Sequence, residues 1–213
     1  DLTIESGRSV AVVGPSGSGK SSLLRLIGGL DEPTAGDVSI NGVSLVRLSG
    51  GERRRMRARL LAHVHQRPMD NLLGHLTALE QVVRVAERRG VGVEESREML
   101  DALGLAARAD HLPDQMSGGE QQRLAFARGA VGSPAVIIAD EPTAELDTAS
   151  TDRVLDAIER LSGERITVLV ATHDPRVLER VDEVVMLRDG SVASVTDSGI
   201  ELAVIDHAGR IQL

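Results

Sequence analysis

Short apolar runs alternate along the chain with segments in which hydrophobic residues recur every three or four positions. Five runs have the length and composition of buried β-strands, at residues 9–13, 63–65, 136–140, 166–171 and 183–187. Continuous apolar strands of this kind are typical of a parallel sheet with helices on both faces. The pattern therefore predicts an α/β fold.

Strand-like runs disappear between about residues 67 and 126, where the hydrophobic spacing becomes helical. One helical face with the spacing i, i+3, i+4 and i+7 is formed by Leu79, Val82, Val83 and Ala86. A second helix is predicted over residues 94–103. We therefore expect an inserted helical segment in this part of the chain.

These patterns predict a single domain over residues 1–213. Its core is expected at about residues 1–66 and 126–213, with the helical subdomain at about residues 67–125. Alternating stretches at residues 192–195 and 200–205 predict closing strands that form a small antiparallel portion.

Composition excludes several kinds of protein. The chain of 213 residues contains no cysteine, so disulfides and thiolate metal sites are excluded. No apolar stretch approaches the roughly 20 residues needed to span a bilayer, and we expect no leader segment and no membrane-crossing helix. The net charge of −8 argues against nucleic acid as a partner.

The stretch GPSGSGKS at residues 14–21 follows the first strand and matches the pattern G-x-x-x-x-G-K-[ST]. Backbone N–H groups of such a loop, together with the N-terminus of the following helix, bind phosphate. Lys20, the only lysine of the chain, is predicted to contact the β- and γ-phosphates, and Ser21 to ligate Mg²⁺. The predicted nucleotide-binding residues here are Gly14, Pro15, Ser16, Gly17, Ser18, Gly19, Lys20, Ser21 and Ser22.

Two carboxylates end the apolar strand at residues 136–140. Asp140 is predicted to hold Mg²⁺ directly or through water, and Glu141 to act as general base on the attacking water. Capping of the next helix is the alternative for this pair. His173 follows the strand at residues 166–171 and could contact the γ-phosphate and the water, although an isolated histidine after a strand is more often a surface or packing residue.

The sequence Ser-Gly-Gly-Glu occurs twice, at residues 49–52 and 117–120. Both copies have the S-x-x-E spacing of a capping box, in which a hydroxyl and a carboxylate cap a helix reciprocally. The first copy precedes an arginine-rich stretch at residues 53–59, which favours a capped, solvent-exposed helix.

Taken in order, the motifs GPSGSGKS, HVHQ, MSGGEQQRLAFARG, VIIADEPTAELD and THD resemble those of ABC transporter ATPase subunits over nearly the whole chain. The stretches NLLGHLTALEQV, SGGEQQR and ADEPT are similar to the subgroup of macrolide export, lipoprotein release and FtsE-type cell division. The resemblance implies a RecA-like P-loop NTPase core and ATP and Mg²⁺ as ligands. It also implies that the second Ser-Gly-Gly-Glu copy is the family signature.

In such a family member, two subunits would pair head to tail as a homodimer or pseudo-dimer. Ser117, Gly118, Gly119 and Glu120 of one subunit would close over the ATP bound by Lys20 of the other. Gln66 would sense Mg²⁺ and the attacking water, with a catalytic role beside Lys20, Glu141 and His173, while Asp147 would face the opposite subunit. The resemblance further implies a transmembrane permease as partner and a peripheral location on the cytoplasmic face of the membrane.

The ATPase could drive transport, signal to a membrane partner as FtsE-type subunits do, or act without a transporter on ribosomes or DNA. The aromatic residue that usually stacks on adenine is absent, since Phe126 is the only aromatic residue. The C-terminal stretch VIDHAGRIQL predicts an ordinary hairpin, and it also faintly resembles a shortened opening strand of AbrB-like swapped-hairpin domains.

Overall fold

The computed structural model describes residues 1–197, 204–205 and 211–212. In chain order the elements are β1 (Ser9–Val13), α1 (Lys20–Ile27), β2 (Ser39–Ile40), β3 (Val43–Ser44), α2 (Gly50–Leu60), β4 (Leu61–Val64), α3 (Ala78–Arg89), α4 (Val93–Ala102), α5 (Gly118–Ala130), β5 (Val136–Asp140), α6 (Thr148–Gly163), β6 (Thr167–Ala171), α7 (Pro175–Leu178), β7 (Glu183–Arg188), β8 (Ser191–Asp197), β9 (Val204–Ile205) and β10 (Ile211–Gln212). Short 3₁₀ turns occur between β4 and α5, at Pro68–Asp70, Ala106–Arg108 and Pro113–Gln115.

The central sheet has six strands in the order β4, β5, β6, β1, β7, β8. The first five run parallel, and β8 pairs antiparallel with β7. Strands β2 and β3 form a separate antiparallel pair. The predicted α/β fold with a mostly parallel sheet and a small antiparallel portion is confirmed.

Helices cover both faces of the central strands, which explains why β1, β5 and β6 are almost entirely apolar, whereas the edge strand β8 is exposed. All five residues of β1 are buried, and alternate residues point to opposite faces. Val10 and Val12 pack in one cluster with Leu24 of α1. Ala11 and Val13 belong to the cluster on the other face, which includes residues of α5 and α6. The core is therefore two layers separated by the sheet.

The segment between β4 and α5 contains helices and turns but no strand, as the loss of strand-like runs predicted. Helix α3 begins at a capping box, in which Thr77 accepts a hydrogen bond from the backbone N–H of Glu80 at 3.3 Å. Its fully buried residues are Ala78, Gln81, Val82 and Ala86. The predicted face was wrong in part: Val83 is only half-buried because Gln81 takes an interior position and bonds to the loop before the helix.

The strand predicted at residues 63–65 begins and ends earlier, since β4 covers Leu61–Val64. His65 leaves the sheet because its backbone N–H donates to Oδ1 of Asn71 at 2.8 Å. The amide of Asn71 also donates to the carbonyl oxygen of His63 at 2.6 Å. One side chain thus replaces the neighbouring strand at the end of β4 and fixes the direction of the following loop.

The hairpin formed by β2 and β3 was not predicted from the sequence. Its turn is Asn41-Gly42, and both residues have positive φ angles, of 49° and 76°. Asn-Gly is the most frequent pair in two-residue hairpin turns that need this conformation. The Asn-Gly pair is visible in the sequence, but strands of only two residues are too short to show an alternating hydrophobic pattern beside it.

At the C-terminal end, β8 confirms the closing strand predicted at residues 192–195. The strand predicted at residues 200–205 lies mostly outside the described residues. Strands β9 and β10 pair antiparallel, as the hairpin interpretation of the last stretch predicts. In the described part of the chain, no helix is long and apolar enough to cross a bilayer.

Candidate functional site

The order of the strands brings four loops side by side at one edge of the sheet. Strands β4, β5, β6 and β1 are neighbours and run parallel, so their carboxyl ends share this edge. Beyond these ends lie Gln66 after β4, Glu141 after β5, His173 after β6 and Gly14 after β1. Open parallel sheets bind ligands in the crevice beyond the carboxyl ends of their strands.

The loop after β1 has a backbone that favours glycine. Gly14 has a φ of 150°, and a Cβ atom there would lie 2.3 Å from the carbonyl oxygen of Leu187. Gly19 has a φ of 99° and immediately precedes α1. Lys20 begins α1, and its Nζ donates hydrogen bonds to the carbonyl oxygens of Gly14 at 2.7 Å and Pro15 at 3.1 Å. The ammonium group therefore lies over a helix N-terminus of the kind that binds anions.

Polar groups of this loop are free for a ligand. Ser18 is buried, and its hydroxyl has no hydrogen-bond partner among the described residues. A buried hydroxyl without a partner fits an external ligand oxygen. The exposed positions of the loop are Pro15, Ser16, Gly17, Ser21 and Ser22. The predicted phosphate-binding residues thus surround Lys20 in one continuous loop.

Glu141 is held in an uncommon backbone conformation at the end of β5. Its φ is 45°, in the left-handed region that costs free energy for a residue with a side chain. Its backbone N–H donates to the carbonyl oxygen of Ala171 at 2.8 Å, and its Oε1 lies 2.7 Å from Nδ1 of His173. Oε2 is buried without a hydrogen-bond partner among the described residues. The carboxylate is therefore oriented by the histidine and keeps one oxygen for a ligand or water.

The half-buried carboxyl group of Asp140 interacts with the charges of Glu141, His65 and Lys20. Burial raises the pKa of this carboxyl group, and the charge of Glu141 raises it further, while His65 and Lys20 act in the opposite direction. The local cations only partly compensate the burial. A cation bound to Asp140 would supply the missing charge.

This raised pKa leads to a prediction about stability. The folded protein binds the proton of Asp140 more tightly than the unfolded chain does, so the ionised carboxylate destabilises the fold above its folded-state pKa, and this cost is relieved as the pH falls. Asp140→Asn should raise the melting temperature at pH 8 by a few degrees at most, because solvent screens this partly exposed group. This increase in melting temperature should become smaller towards pH 4.

Thermal unfolding without divalent cations measures the effect, with Asp101→Asn, an exposed carboxylate on α4, as the matched control. An increase in melting temperature that becomes larger as the pH falls, or an equal increase in the control, would show that the buried charge of Asp140 is not the cause.

A contact that was not predicted from the sequence joins the loops after β5 and β6. The hydroxyl of Thr143 donates to Oδ2 of Asp174 at 3.1 Å. Burial alone would raise the pKa of Asp174, but hydrogen bonds from Arg176 and Thr143 outweigh it and lower the pKa. The contact lies two residues after Glu141 and one after His173, so it stabilises the relative position of these two side chains.

The two Ser-Gly-Gly-Glu copies form the same local structure. In each, the serine hydroxyl accepts a hydrogen bond from the glutamate N–H, at 3.4 Å for Ser49 and 3.3 Å for Ser117. In the reciprocal bond, the backbone N–H of the serine donates to the glutamate carboxylate, at 2.9 Å for Glu52 and 2.8 Å for Glu120. Helix α2 buries none of its residues, in agreement with the capped, exposed helix predicted for the first copy.

Their surroundings differ. A Cβ atom on Gly119 would lie 2.7 Å from the Cβ of Ser150 in α6, whereas one on Gly51 would meet nothing within 4 Å. The carboxylate of Glu120 also accepts a hydrogen bond from Arg108 at 2.9 Å, and this arginine lowers its pKa. The second copy is therefore fitted closely into the protein, and the first is free on the surface.

Gln66 lies near the second copy. A groove of about 270 Å³ is lined by Gln66, by Gly118 and by Leu146, which follows the acidic pair. The side-chain amide of Gln122 in α5 donates to the carbonyl oxygen of His65 at 3.3 Å. Helix α5 is thereby connected to the residue that precedes Gln66.

Not all predicted site residues come together in one chain. No hydrogen bond or ion pair of the described residues joins the loop at residues 14–22 to residues 117–120. Asp147 caps α6 by accepting the N–H of Ser150 at 2.9 Å, and this bond lowers its pKa. The chain thus carries two separate groups of candidate residues.

Comparisons with known proteins agree with this architecture. A family model described as ABC transporter matches residues 1–144. The lipoprotein-releasing system ATP-binding protein LolD of Legionella pneumophila is 42% identical over 197 residues, which are 90% of this chain and 86% of that protein. The macrolide export ATP-binding/permease protein MacB 1/2 of Paracoccus denitrificans is 42% identical over 207 residues. The chain spans only 31% of the length of that relative.

Two solved structures show the same fold. The ATP-binding cassette MJ0796, in a dimeric post-hydrolysis state bound to ADP and Pi, superposes with a TM-score of 0.80 at 35% identity. The alignment covers 92% of this chain and 88% of that chain. A second dimeric structure of MJ0796, described as a bacterial ABC transporter cassette, gives a TM-score of 0.79 at 34% identity with the same coverage.

Proposed function

The chain belongs to the ABC transporter family, as the ordered motifs predicted, and on this basis we propose that it binds ATP and hydrolyses it to ADP and phosphate. One observation carries the proposal: Glu141 and His173 are in contact at 2.7 Å just beyond the ends of β5 and β6, and β6 lies directly beside β1, the strand that leads to Lys20. Hydrolysis of a phosphoanhydride requires a group that orients the attacking water, and it also requires a cation at the phosphates. Glu141 with His173 supplies the first, and Lys20 supplies the second.

The glycine-rich loop at residues 14–22 holds the phosphates of ATP. Its backbone N–H groups and the N-terminus of α1 attract the negative charge, and Lys20 exchanges its contacts with loop carbonyls for phosphate oxygens. The unpartnered hydroxyl of Ser18 supports this assignment, because a phosphate oxygen would give it a partner.

We propose that two copies of the chain pair head to tail. Ser117, Gly118, Gly119 and Glu120 of one copy then complete the site around the ATP held by the loop of the other. Among the described residues of one chain no hydrogen bond joins these two segments, and the capped N-terminus of α5 is suited to the charge of a γ-phosphate. Asp147 would lie near this interface.

Glu141 acts as general base in the proposed mechanism. Its carboxylate takes a proton from water as the water oxygen attacks the γ-phosphorus, and the bond from that phosphorus to the bridging oxygen breaks to release ADP. His173 keeps the carboxylate oriented through its Nδ1, and its other ring nitrogen would be available to the γ-phosphate. The left-handed backbone at Glu141 fixes the direction of the side chain before ATP binds.

Ser21, Asp140 and Gln66 would hold a Mg²⁺ ion. The raised pKa of Asp140 fits this role, because a carboxylate that burial destabilises gains from a nearby cation. When bound, the ion neutralises charge that develops on the β- and γ-phosphates. Gln66 lies in the groove beside Gly118, so contact with the bound ligand would be transmitted to α5.

We propose that a transmembrane permease is the partner and that the chain acts at the cytoplasmic face of the membrane. The similarity to LolD and MacB, whose names describe a lipoprotein-releasing system and a macrolide export protein, supports this assignment. Hydrolysis would then drive a conformational change in the permease. An FtsE-type signalling role uses the same ATPase cycle.

Two measurements test the proposal. ATP turnover by the purified chain should be saturable and should fall at least about tenfold when EDTA removes Mg²⁺, because metal coordination at transferring phosphates contributes several kcal/mol. The chain, expressed with the membrane proteins of its own host, should co-purify with a permease. Co-sedimentation with ribosomes instead would contradict the membrane assignment, and turnover without solute movement in reconstituted vesicles would favour signalling.

A further inference from the structure

Helix α3 ends in a half-buried arginine that contacts the backbone of three other elements. Nη1 of Arg89 donates to the carbonyl oxygens of Gly129 at 2.6 Å and Val131 at 2.7 Å. Nη2 donates to that of Leu61 at 3.2 Å, and Nε to that of Ala58 at 3.4 Å. These acceptors lie at the end of α5, the start of β4 and the end of α2.

This arginine makes no ion pair with a carboxylate in the described part of the chain; its partners are carbonyl groups. Helix C-termini leave carbonyl oxygens unsatisfied and carry partial negative charge, so they stabilise a cation. Burial, and to a lesser degree Arg128, lowers the pKa of Arg89 to about 10, so the group stays charged at neutral pH. Its planar fork can serve several carbonyls at once, which a lysine ammonium on a flexible stem cannot reproduce.

Two of the tethered elements carry the proposed site at their other ends. Helix α5 leads back to the Ser117 cap, and β4 leads to Gln66. The 13 residues of α5 span about 20 Å, so a tilt of roughly 3° about the Arg89 end moves the Ser117 end by about 1 Å. Displacements of this size can lower a catalytic rate about 100-fold.

We propose that Arg89 is a positioning residue that sets the angle of α5 relative to β4 and thereby places residues 117–120 and Gln66 for ATP hydrolysis. The catalytic consequence depends on the function proposed above. The geometric role does not, and it can be measured without ATP.

Gly132 provides an independent way to disturb the same contact. A Cβ atom on Gly132 would lie 3.0 Å from the Cβ and 3.1 Å from the Cδ of Arg89, and its φ is 74°. Gly104 has a similar φ of 69° but nothing within 4 Å of such an atom. Gly132→Ala and Gly104→Ala therefore carry comparable backbone strain, and only the first displaces the stem of Arg89.

The kinetic test compares Arg89→Lys with Arg88→Lys, which changes the exposed neighbour on α3. We expect Arg89→Lys and Gly132→Ala to lower kcat at least about tenfold with KM within about twofold, because the phosphate loop lies on other elements. Arg88→Lys and Gly104→Ala should stay within about twofold in both constants. An equal decrease in kcat in the two controls, or a change in KM without a decrease in kcat, would overturn the assigned role.

The geometric test uses the absence of cysteine from the chain. Cysteines introduced for Glu98 on α4 and Asp152 on α6, both exposed, can be spin-labelled without side reactions. Because α4 and α6 both pack against α5, a change in the tilt of α5 should broaden or shift the distribution of distances between the two labels in Arg89→Lys and Gly132→Ala, but not in the two controls.

An unchanged distribution in both test variants would overturn the proposal even if the chain hydrolyses ATP. Conversely, a wild-type chain without ATPase activity would contradict the proposed function and leave the distance test valid. If Arg89→Lys folds poorly, Gly132→Ala still tests the proposal, because this variant keeps Arg89 and only displaces its side chain.

Discussion

Glu141→Gln is expected to lower the rate of ATP hydrolysis by roughly 10²- to 10⁴-fold, the range that general acid–base catalysis contributes. An amide has nearly the same shape as the carboxylate but does not accept the proton of the attacking water. The lysine-bearing loop is unchanged, so ATP binding should remain. Because bound ATP is not consumed, we expect the variant to accumulate as an ATP-bound dimer.

Single-turnover hydrolysis and size-exclusion chromatography with ATP measure the two effects. Glu179→Gln, an exposed glutamate beyond His173, is the matched control and should behave as the wild type. Turnover that persists in Glu141→Gln would remove Glu141 as the base. A variant that binds ATP but stays monomeric, alone and with its permease, would contradict the head-to-tail pairing.

The second large effect is expected from one methyl group placed in each of the two Ser-Gly-Gly-Glu copies. Gly119→Ala puts a Cβ atom 2.7 Å from the Cβ and 2.8 Å from the Oγ of Ser150, so α5 and α6 have to move apart. Because a shift of about 1 Å can cost about 100-fold, we expect a loss of that order in ATP hydrolysis. Gly51→Ala meets nothing within 4 Å and should leave hydrolysis unchanged.

The control should also differ in stability. Alanine is favoured over glycine in a helix by roughly 0.5–1 kcal/mol, so Gly51→Ala should raise the free energy of unfolding slightly. In Gly119→Ala, the added change Ser150→Gly removes the atoms that clash and should restore much of the activity. Equal behaviour of the two alanine variants, or no rescue, would show that close packing at Gly119 does not set the position of the second copy.

Much of the fold could be predicted because its causes are local. The central strands β1, β5 and β6 are short and almost entirely apolar runs, and the strand, loop and helix around Lys20 follow one another directly in the chain. The capping boxes at Ser49 and Ser117 require only a serine and a glutamate three residues apart. Each of these features depends on residues within a few positions of one another.

The errors have a different origin. The strand at residues 63–65 was placed wrongly because the side chain of Asn71, from the loop beyond it, takes over the hydrogen bonds of His63 and His65. The buried face of α3 was rotated because Gln81 satisfies its amide through loop carbonyls and enters the core. Both side chains form hydrogen bonds with backbone groups, and the spacing of hydrophobic residues carries no information about such bonds.

The amino-acid sequence contains the site as separate pieces: the loop around Lys20, the acidic pair ending in Glu141, the histidine of THD, and two equivalent Ser-Gly-Gly-Glu caps. Short-range spacing is sufficient to specify each piece, since backbone hydrogen bonding and capping act within a few residues. The tertiary structure arranges them. The strand order β4, β5, β6, β1 puts Glu141 beside His173, and the packing of the buried Gly119 against Ser150 distinguishes the second copy from the first, whose glycines are exposed. Such contacts join residues far apart in the chain, and their geometry exists only once the sheet and helices have packed together.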